Sequence, residues 1–551
     1  MRRVLTLLAV LMSADGAPQT YQGGVRGAVR DATGIIPGAA VTLLHPETNQ
    51  SRQTSTNDIG QYVLANVPPG VYTLSVYVDG FKPYEQTGIE FRVQDFHVID
   101  VLMELGTVEE TVVVTGETPL IDTASASVGS SIEAAEMVVL PTPARNPFFL
   151  AVTTPNVVPT GNPQFQRMQD QNSTSALSIG GGPKRGNNYT LDGVPITDLT
   201  NRAVIIPSME AIQEVKVQVN TYDAEMGRTG GGVFNTFHRR GSNQWNGSAL
   251  IQNRPNWGQG QLYFEKEAGT PKADSYYWLW GGSFGGAIVP DRTFFWASTE
   301  GYRTSVTRNR IITLPTADMA RGDFSQFGRT IYDPLTTRPD PNNPGGFIRN
   351  PFPGNIIPAD RLNPVGLAIA SFLTAGPPGN SSASANVLDA AEQISFNLTH
   401  EVNDRFSMSG TYMYYDSDEP FPRFLVGPYD PSDGVHRRVH TIALNNTYLA
   451  GDDSVLTFRY GYFQFDDDVT RTEFDVASLG FTENYLGQIS DNVFPGIFLG
   501  DYYGGGGGAG QDVRLYSHSA NATWSKLVGA HTLRAGGDYR RMGADFYVPG
   551  D

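Results

Sequence analysis

A chain of 551 residues with 39 Lys+Arg against 56 Asp+Glu, a formal net charge of -17, lacks the basic surplus that neutralises phosphates and so is not read as a nucleic-acid binder. The absence of cysteine excludes a disulfide framework, Cys-ligated zinc or iron–sulfur centres and a thiol nucleophile. Its length allows about two to four domains, and 61 glycines and 25 tyrosines with only 17% charged residues suit turn-rich β structure.

At the start, Arg2-Arg3, the apolar run 4–12 and the small residues Ala14-Asp15-Gly16 have the layout of a secretory signal, predicted over 1–16. No later run reaches the ~18 apolar residues of a membrane helix, so any later span must be built from strands. Residues 21–105 carry short alternating strands between Gly and Pro turns, as in Val71, Thr73, Ser75 and Tyr77 against Tyr72, Leu74, Val76 and Val78, which predicts a small β-sandwich. A linker follows over 106–119. Within it Glu110, Thr111, Val112, Val113, Val114 and Thr115 form a β-branched run with no evident partner strand, whose free backbone groups a partner's sheet edge could pair. The plainer reading is a last sandwich strand or a linker strand.

The unit predicted over 120–243 begins with a short helical or strand segment and a Pro-punctuated loop at 131–159. Asp192-Gly193 between the apolar runs 189–191 and 194–196 predicts a tight hairpin, because a type I′ turn needs φ > 0 at both central residues. Pro207 and Ser208 suggest one short helical turn, and alternation over 214–220 predicts a strand with one buried face. The run Gly227 to Gly232, with Arg228, Gly230 and Gly231, permits close backbone approach.

Past Gly241 the pattern turns to long strands alternating aromatic or aliphatic with small or polar residues, predicted near 245–253, 275–288, 292–302, 393–402, 405–415, 436–449, 454–465, 513–525 and 531–541. Tight connections at 289–291, 403–404, 450–453 and 526–530 alternate with long ones, the longest over 303–392. Short turns on one side and long loops on the other are the asymmetry of outer-membrane barrels. These strands are few for a large barrel, since plugged outer-membrane barrels close with about 22, so 244–551 is expected to be part of a barrel and the chain the front of a longer protein.

Three stretches carry a resemblance: GGGPKRGNNYTLDGVPI, EAIQEVKVQVNTYDAEMGRTGGGVFN and GSNQWNGS are similar to the plug domain of TonB-dependent outer-membrane receptors of the Oar-like group. One departure is Phe237-His238-Arg239-Arg240, where such plugs more usually carry a β-branched, Thr/Lys-containing strand end. Leu140-Pro141, Arg145-Asn146 and Thr154-Pro155, and in the long loop Asp333-Pro334 and Arg361-Leu362-Asn363-Pro364, extend it. Pro37-Gly38-Ala39, 58–62 and 67–72 resemble the carboxypeptidase-regulatory-like domain that often precedes these receptors and carries no catalytic residues. The resemblance implies a mainly β protein with a sandwich, a small α/β plug and a transmembrane antiparallel barrel, in the outer membrane of a Gram-negative bacterium. It implies that 110–115 is a TonB box, that Asp192, Gly193, Arg228, Gly230 and Gly231 belong to the plug motif, and that the partners are TonB, outer-membrane lipid and an unidentified extracellular substrate.

Motifs for chemistry fall short. Gly281-Gly282-Ser283-Phe284-Gly285 fits G-x-S-x-G, but a strand and turn follow where a nucleophile elbow needs a helix. His400-Glu401 begins a zinc signature whose second histidine is replaced by Asp404. The glycine-rich run 180–186 lacks the G-K-[ST] spacing of a phosphate loop. Asp416-Ser417-Asp418-Glu419 and Asp466-Asp467-Asp468 read as solvated loop charge rather than calcium ligands, and Gly504 to Gly508 as flexible loop. The expected function is energised uptake with no catalysis, metal or cofactor. A surface adhesin built from soluble sandwiches is the main alternative and a secreted hydrolase the third.

Overall fold

Alternating side chains build two facing sheets in the N-terminal part of the computed structural model. The described residues are 23–548 except 93–94, 107–111, 116–128, 141, 143–144, 161–175, 220–224, 262, 268, 270–271, 374–378, 426, 431–433, 452–453, 471, 508–509 and 529–530. The predicted signal, Glu110, Thr111 and Gly508 therefore lie outside them. The first nine strands are β1 (Gly23–Arg30), β2 (Ala40–His45), β3 (Gln50–Ser55), β4 (Gln61–Val67), β5 (Gly70–Tyr77), β6 (Tyr84–Phe91), β7 (Phe96–Val98), β8 (Val101–Leu102) and β9 (Val112–Thr115). One sheet has the order β4-β1-β7, with β8 also on β1, and the other β3-β2-β5-β6-β9. Val25, Val29, Val41, Leu43, Leu74, Val76, Ile89 and Phe91 fill the space between them.

The expectation that the 110–115 run has no partner strand is corrected here. β9 runs parallel to β6 in the register Tyr84↔Val112, Glu85↔Val113, Gln86↔Val114 and Thr87↔Thr115. β6 would otherwise leave an open edge, and a β-branched segment is suited to fill it.

The next unit contains β10 (Gly129–Glu133), helices Ala134–Val139 and Pro147–Leu150, β11 (Val157–Pro159), β12 (Leu177–Ile179), β13 (Asn188–Leu191), β14 (Val194–Pro195), β15 (Ile212–Gln218) and β16 (Val233–His238). Its main sheet has the order β10-β15-β16-β13-β14. The second helix starts where Asn146 accepts the Phe148 N–H at 2.9 Å and Pro147 takes the first turn. The predicted helical turn near Pro207 is instead a single tight turn closed by the Ala211 N–H on the Ser208 carbonyl at 3.0 Å. β15 is buried on both faces rather than one: Val215 and Val217 join the apolar core, and Glu214, Lys216 and Gln218 on the other face are buried as well.

The remaining long strands form one antiparallel sheet: β17 (Asn246–Arg254), β18 (Tyr276–Val289), β19 (Thr293–Leu314), then, after the short loop pair β20 (Arg338–Pro339) and β21 (Phe347–Ile348), β22 (Gly379–Asn403), β23 (Phe406–Glu419), β24 (Val435–Leu449), β25 (Ser454–Val469), β26 (Gln511–Val528) and β27 (His531–Tyr547). All nine predicted strands are present. In this chain the sheet is open, with β17 and β27 at its ends. Alternation along β22, β23 and β24 turns Ser409, Thr411, Tyr415, Thr441 and Asn445 inward, while Ile394, Phe396, Leu398 and Tyr412 face out.

The predicted 303–392 loop is much shorter than expected, because β19 and β22 stay paired from Thr293↔His400 to Leu314↔Gly379. Beyond them Ile312, Leu314, Leu373, Leu425, Tyr429, Leu479 and Phe494 gather the long connections into one apolar cluster. The glycine stretch is part of that order: the Gly506 N–H donates to the Tyr429 carbonyl at 2.8 Å, and Gly505 lies so close to Tyr429 that a Cβ has no room.

Candidate functional site

The concave face of the nine-stranded wall encloses the 129–238 unit, and the seam between them mixes apolar and polar contacts. Phe148, Tyr189, Ile205, Ile206 and Met209 share a core with Leu279, Tyr302, Met413 and Tyr415 of the wall. Around it, Gln393 accepts the Ser208 N–H at 2.7 Å and donates to the Ile206 carbonyl at 3.0 Å. The Trp296 indole donates to the Glu210 carbonyl at 3.1 Å, and Arg540 donates to the Thr197 hydroxyl at 3.1 Å and to its carbonyl.

The charged centre of the seam is a three-residue cluster. Arg145, held at φ 55 just before the helix cap, places Nη2 at 2.7 Å from Glu210 Oε1 and Nε at 3.4 Å from Glu300 Oε2 on β19. The other Glu210 oxygen accepts the hydroxyls of Ser248 on β17 and Ser283 on β18, the latter at 3.1 Å. Side-chain exposures of 16% for Arg145, 9% for Glu210 and 1% for Glu300 make this a buried array, where each charge depends on its partners. Glu210 belongs to the inner unit and Glu300 to the wall, so one guanidinium bridges the two bodies without a covalent tie. In the sequence Arg145 and Glu210 fall within stretches that carry the resemblance, whereas Glu300 belongs to no motif. A lone acid in the aromatic strand 292–302 was the available signal.

The expected motif residues lie along the same seam. Asp192 (φ 49) and Gly193 (φ 78) make the predicted hairpin turn, joining Leu191 to Val194. Asp192 also accepts the His238 N–H at 2.9 Å and the Thr411 hydroxyl of β23 at 2.6 Å, so it ties the hairpin to both β16 and the wall. The neighbouring His238 ring shares a 2.8 Å hydrogen bond with Ser395 Oγ and another of 2.8 Å with the Arg239 carbonyl; burial lowers its pKa. Gly230 and Gly231 N–H groups both donate to the Gly186 carbonyl, at 2.8 and 3.2 Å, while Gly231 lies against Gly182 and the Asn187 side chain with no space for a Cβ. Arg228, at φ 54, reaches across to Met542 Sδ at 3.0 Å. Arg228 and the glycines are thus near one another, whereas Arg145, Glu210 and Glu300 form a separate centre.

Comparison with known proteins is decided by the wall: the outer membrane beta barrel domain family matches residues 237–551, more than half of the chain. The chain belongs to that family. The carboxypeptidase regulatory-like domain family matches residues 24–104 of this outer-membrane barrel protein. A curated relative, the TonB-dependent transporter Oar of Myxococcus xanthus, is 28% identical over 324 residues, 56% of this chain and 29% of the relative. The barrel chain thus spans less than a third of that relative's length. Solved structures similar to it include the outer membrane transporter YddB from Escherichia coli, at 15% identity and TM-score 0.44 over 76% of this chain and 48% of that one. Another is the siderophore receptor PirA from Acinetobacter baumannii, at 12% identity and TM-score 0.42 over 76% and 48%.

Within this outer-membrane barrel the remaining motifs have structural places. Ser283 lies inside β18, which continues to Val289, and bonds to Glu210 rather than sitting on a strand-to-helix elbow. His400 Nδ1 meets the Thr293 hydroxyl at 2.8 Å. The two acidic clusters are corrected from loop to strand: they end β23 and β25, paired across to β24 and β26. Arg437 bridges Glu419 and Asp467, the latter at 2.9 Å, Arg438 reaches Asp468 at 3.3 Å and Arg514 reaches Asp466 at 2.7 Å. Cross-strand arginines therefore take up the acids that would otherwise repel. Among the described residues no group of His, Asp and Glu could hold a metal ion. The adhesin alternative required separate soluble sandwiches, whereas the nine long strands form one wall around an inner unit.

Proposed function

We propose that the chain serves TonB-dependent uptake across the outer membrane, with the 129–238 unit as the plug. Substrate binds outside, on the long connections and the outward end of the plug. TonB pairs with the 110–115 segment in the periplasm and pulls, loosening the plug. The observation that carries this reading is the Arg145–Glu210–Glu300 array, in which ion pairs and hydroxyl hydrogen bonds hold the inner unit to the wall. Such contacts can be exchanged for water one at a time, which suits a unit that must move inside its barrel and return. The scheme needs no bond-making residue and no cofactor. The Oar relative, by its name a TonB-dependent transporter, supports it.

The test is made in the full-length receptor, in a deletion strain supplied with a panel of labelled ferric siderophores, glycans and peptides. The strain lacking the receptor should lose uptake of at least one class. Val113→Pro, which removes a backbone N–H and fixes φ, should abolish that uptake while Val113→Ala retains it, with surface binding kept by both. Intact uptake in the proline variant would withdraw the coupling role of the segment.

A further inference from the structure

We infer that the N-terminal sandwich is a clasp for the coupling segment, and that the periplasmic partner must strip β9 from β6 before it can pull on the plug. The inference rests on the proposed coupling role of 110–115 and adds a step to it.

Residues Val112–Thr115 are the fifth strand of the β3-β2-β5-β6-β9 sheet, joined to β6 in continuous parallel register from Tyr84↔Val112 to Thr87↔Thr115. One hydrogen-bonding edge of the segment is therefore occupied. The sandwich is itself fastened to the inner unit and the start of the wall. Immediately after β6, Arg92 Nε lies 2.7 Å from Glu133 at the end of β10, and Asp95 accepts from Lys216 Nζ of β15 at 3.4 Å. The Asn243 N–H donates to the Glu47 carbonyl at 3.0 Å.

These attachments decide where tension goes. A partner strand added to the outer edge of β9, with β9 still on β6, would load the whole sandwich and its contacts with β15, β10 and the wall. Force would then reach β10 through those contacts rather than along the chain. Tension enters β10 through the chain only when β9 has left β6, so strand exchange, not simple strand addition, is the productive event. Val112–Thr115 is short and β-branched, and a strand of this kind is at home on either partner's edge. Two alternative pairings of one segment make a bistable element that the partner biases.

The experiment uses the full-length receptor in detergent and in cells. The described chain has no cysteine, so Glu85→Cys with Val113→Cys introduces a pair at register partners, and Thr87→Cys with Thr115→Cys is a second pair. The probe is the purified periplasmic domain of TonB from the same cell, immobilised on beads. Oxidised receptor should be captured at least tenfold less than the same sample after reductant, and energised uptake should return on reduction. Each molecule is thus its own folding control. The backbone amides of 84–87 that face β9 should exchange slowly in the receptor alone and faster with the TonB domain present, while 112–115 stay protected by the new partner.

Equal capture before and after reduction, with the crosslink confirmed by mass spectrometry, would show addition to the free edge and overturn the clasp while leaving the coupling role in place. Absence of capture in both states, with an active receptor, would remove the coupling role and the clasp with it. Failure of both pairs to oxidise, together with unprotected amides at 112–115, would overturn the β6–β9 pairing itself.

Discussion

Removing Arg145 should loosen the inner unit more than any other single change at the seam. Arg145→Ala leaves Glu300, whose side chain is 1% exposed, without a cation and Glu210 with only the Ser248 and Ser283 hydroxyls. Leaving buried charge unpaired costs about 3–5 kcal/mol, which raises the population of a released inner unit roughly 10²- to 10⁴-fold. Glu300→Gln should cost only about 1.5–3 kcal/mol, the worth of a hydrogen bond to a charged group, because Arg145 keeps its 2.7 Å contact with Glu210. The double variant should cost less than the sum, since both changes act on one array. The assay is single-channel current through the full-length protein in planar bilayers under rising urea, alongside the urea midpoint of the inner unit. Equal midpoints for Arg145→Ala and Glu300→Gln, or strict additivity in the double variant, would refute the reasoning.

Thr411→Val should destabilise the full-length protein by about 1–3 kcal/mol, because it removes the donor to buried Asp192, while Thr411→Ser keeps it; urea unfolding in detergent separates the two. Gly231→Ala should cost about 1–3 kcal/mol by forcing a methyl into the Asn187 side chain, read as a lower melting temperature. The 21–105 fragment should melt cooperatively and lose stability on acidification: burial lowers the His45 pKa, so its contribution is complete above the unfolded value of about 6.5 and declines as the pH falls below it. A flat melting temperature between about pH 7.5 and 5.5, or the same slope in His45→Gln, would contradict this.

What the chain reveals without coordinates depends on whether a residue's role is local. The barrel strands were visible because inward polar and outward aromatic residues alternate with a period of two, as along β23 and β24. The Asp192-Gly193 turn was visible because its backbone demands are confined to two residues. The upper parts of β19 and β22 were not, since serines, asparagines and arginines there are mixed with scattered apolar residues, and the cluster that Ile312 and Leu314 join is assembled from distant loops. The acidic ends of β23 and β25 looked like loop for the same reason, their arginine partners lying on other strands. The buried array was the least legible, because Glu210 and Glu300 stand 65 and 155 residues from Arg145. β9 showed its strand propensity, but its partner β6 could only be seen in space.

The ribbon of 306–314 on 379–387 rises past its neighbours: β18 stops pairing with β19 at Ser305, and β23 stops pairing with β22 at Ala390. At about 3.4 Å per residue it extends roughly 30 Å, with no third strand on either flank among the described residues. Such bare flanks on neighbouring copies in a crowded membrane would invite lateral zippering. Here Arg308, Asn309 and Arg310 stand exposed along one strand and Asn380, Ser382 and Ser384 along the other, a strongly solvated pair of margins. These charged and amide side chains oppose self-association over most of the ribbon, Ile311 being an exposed apolar exception, and its tip is gathered under the loop cluster at Ile312 and Leu314. Copies could crowd side by side and each still present its own crown to the outside.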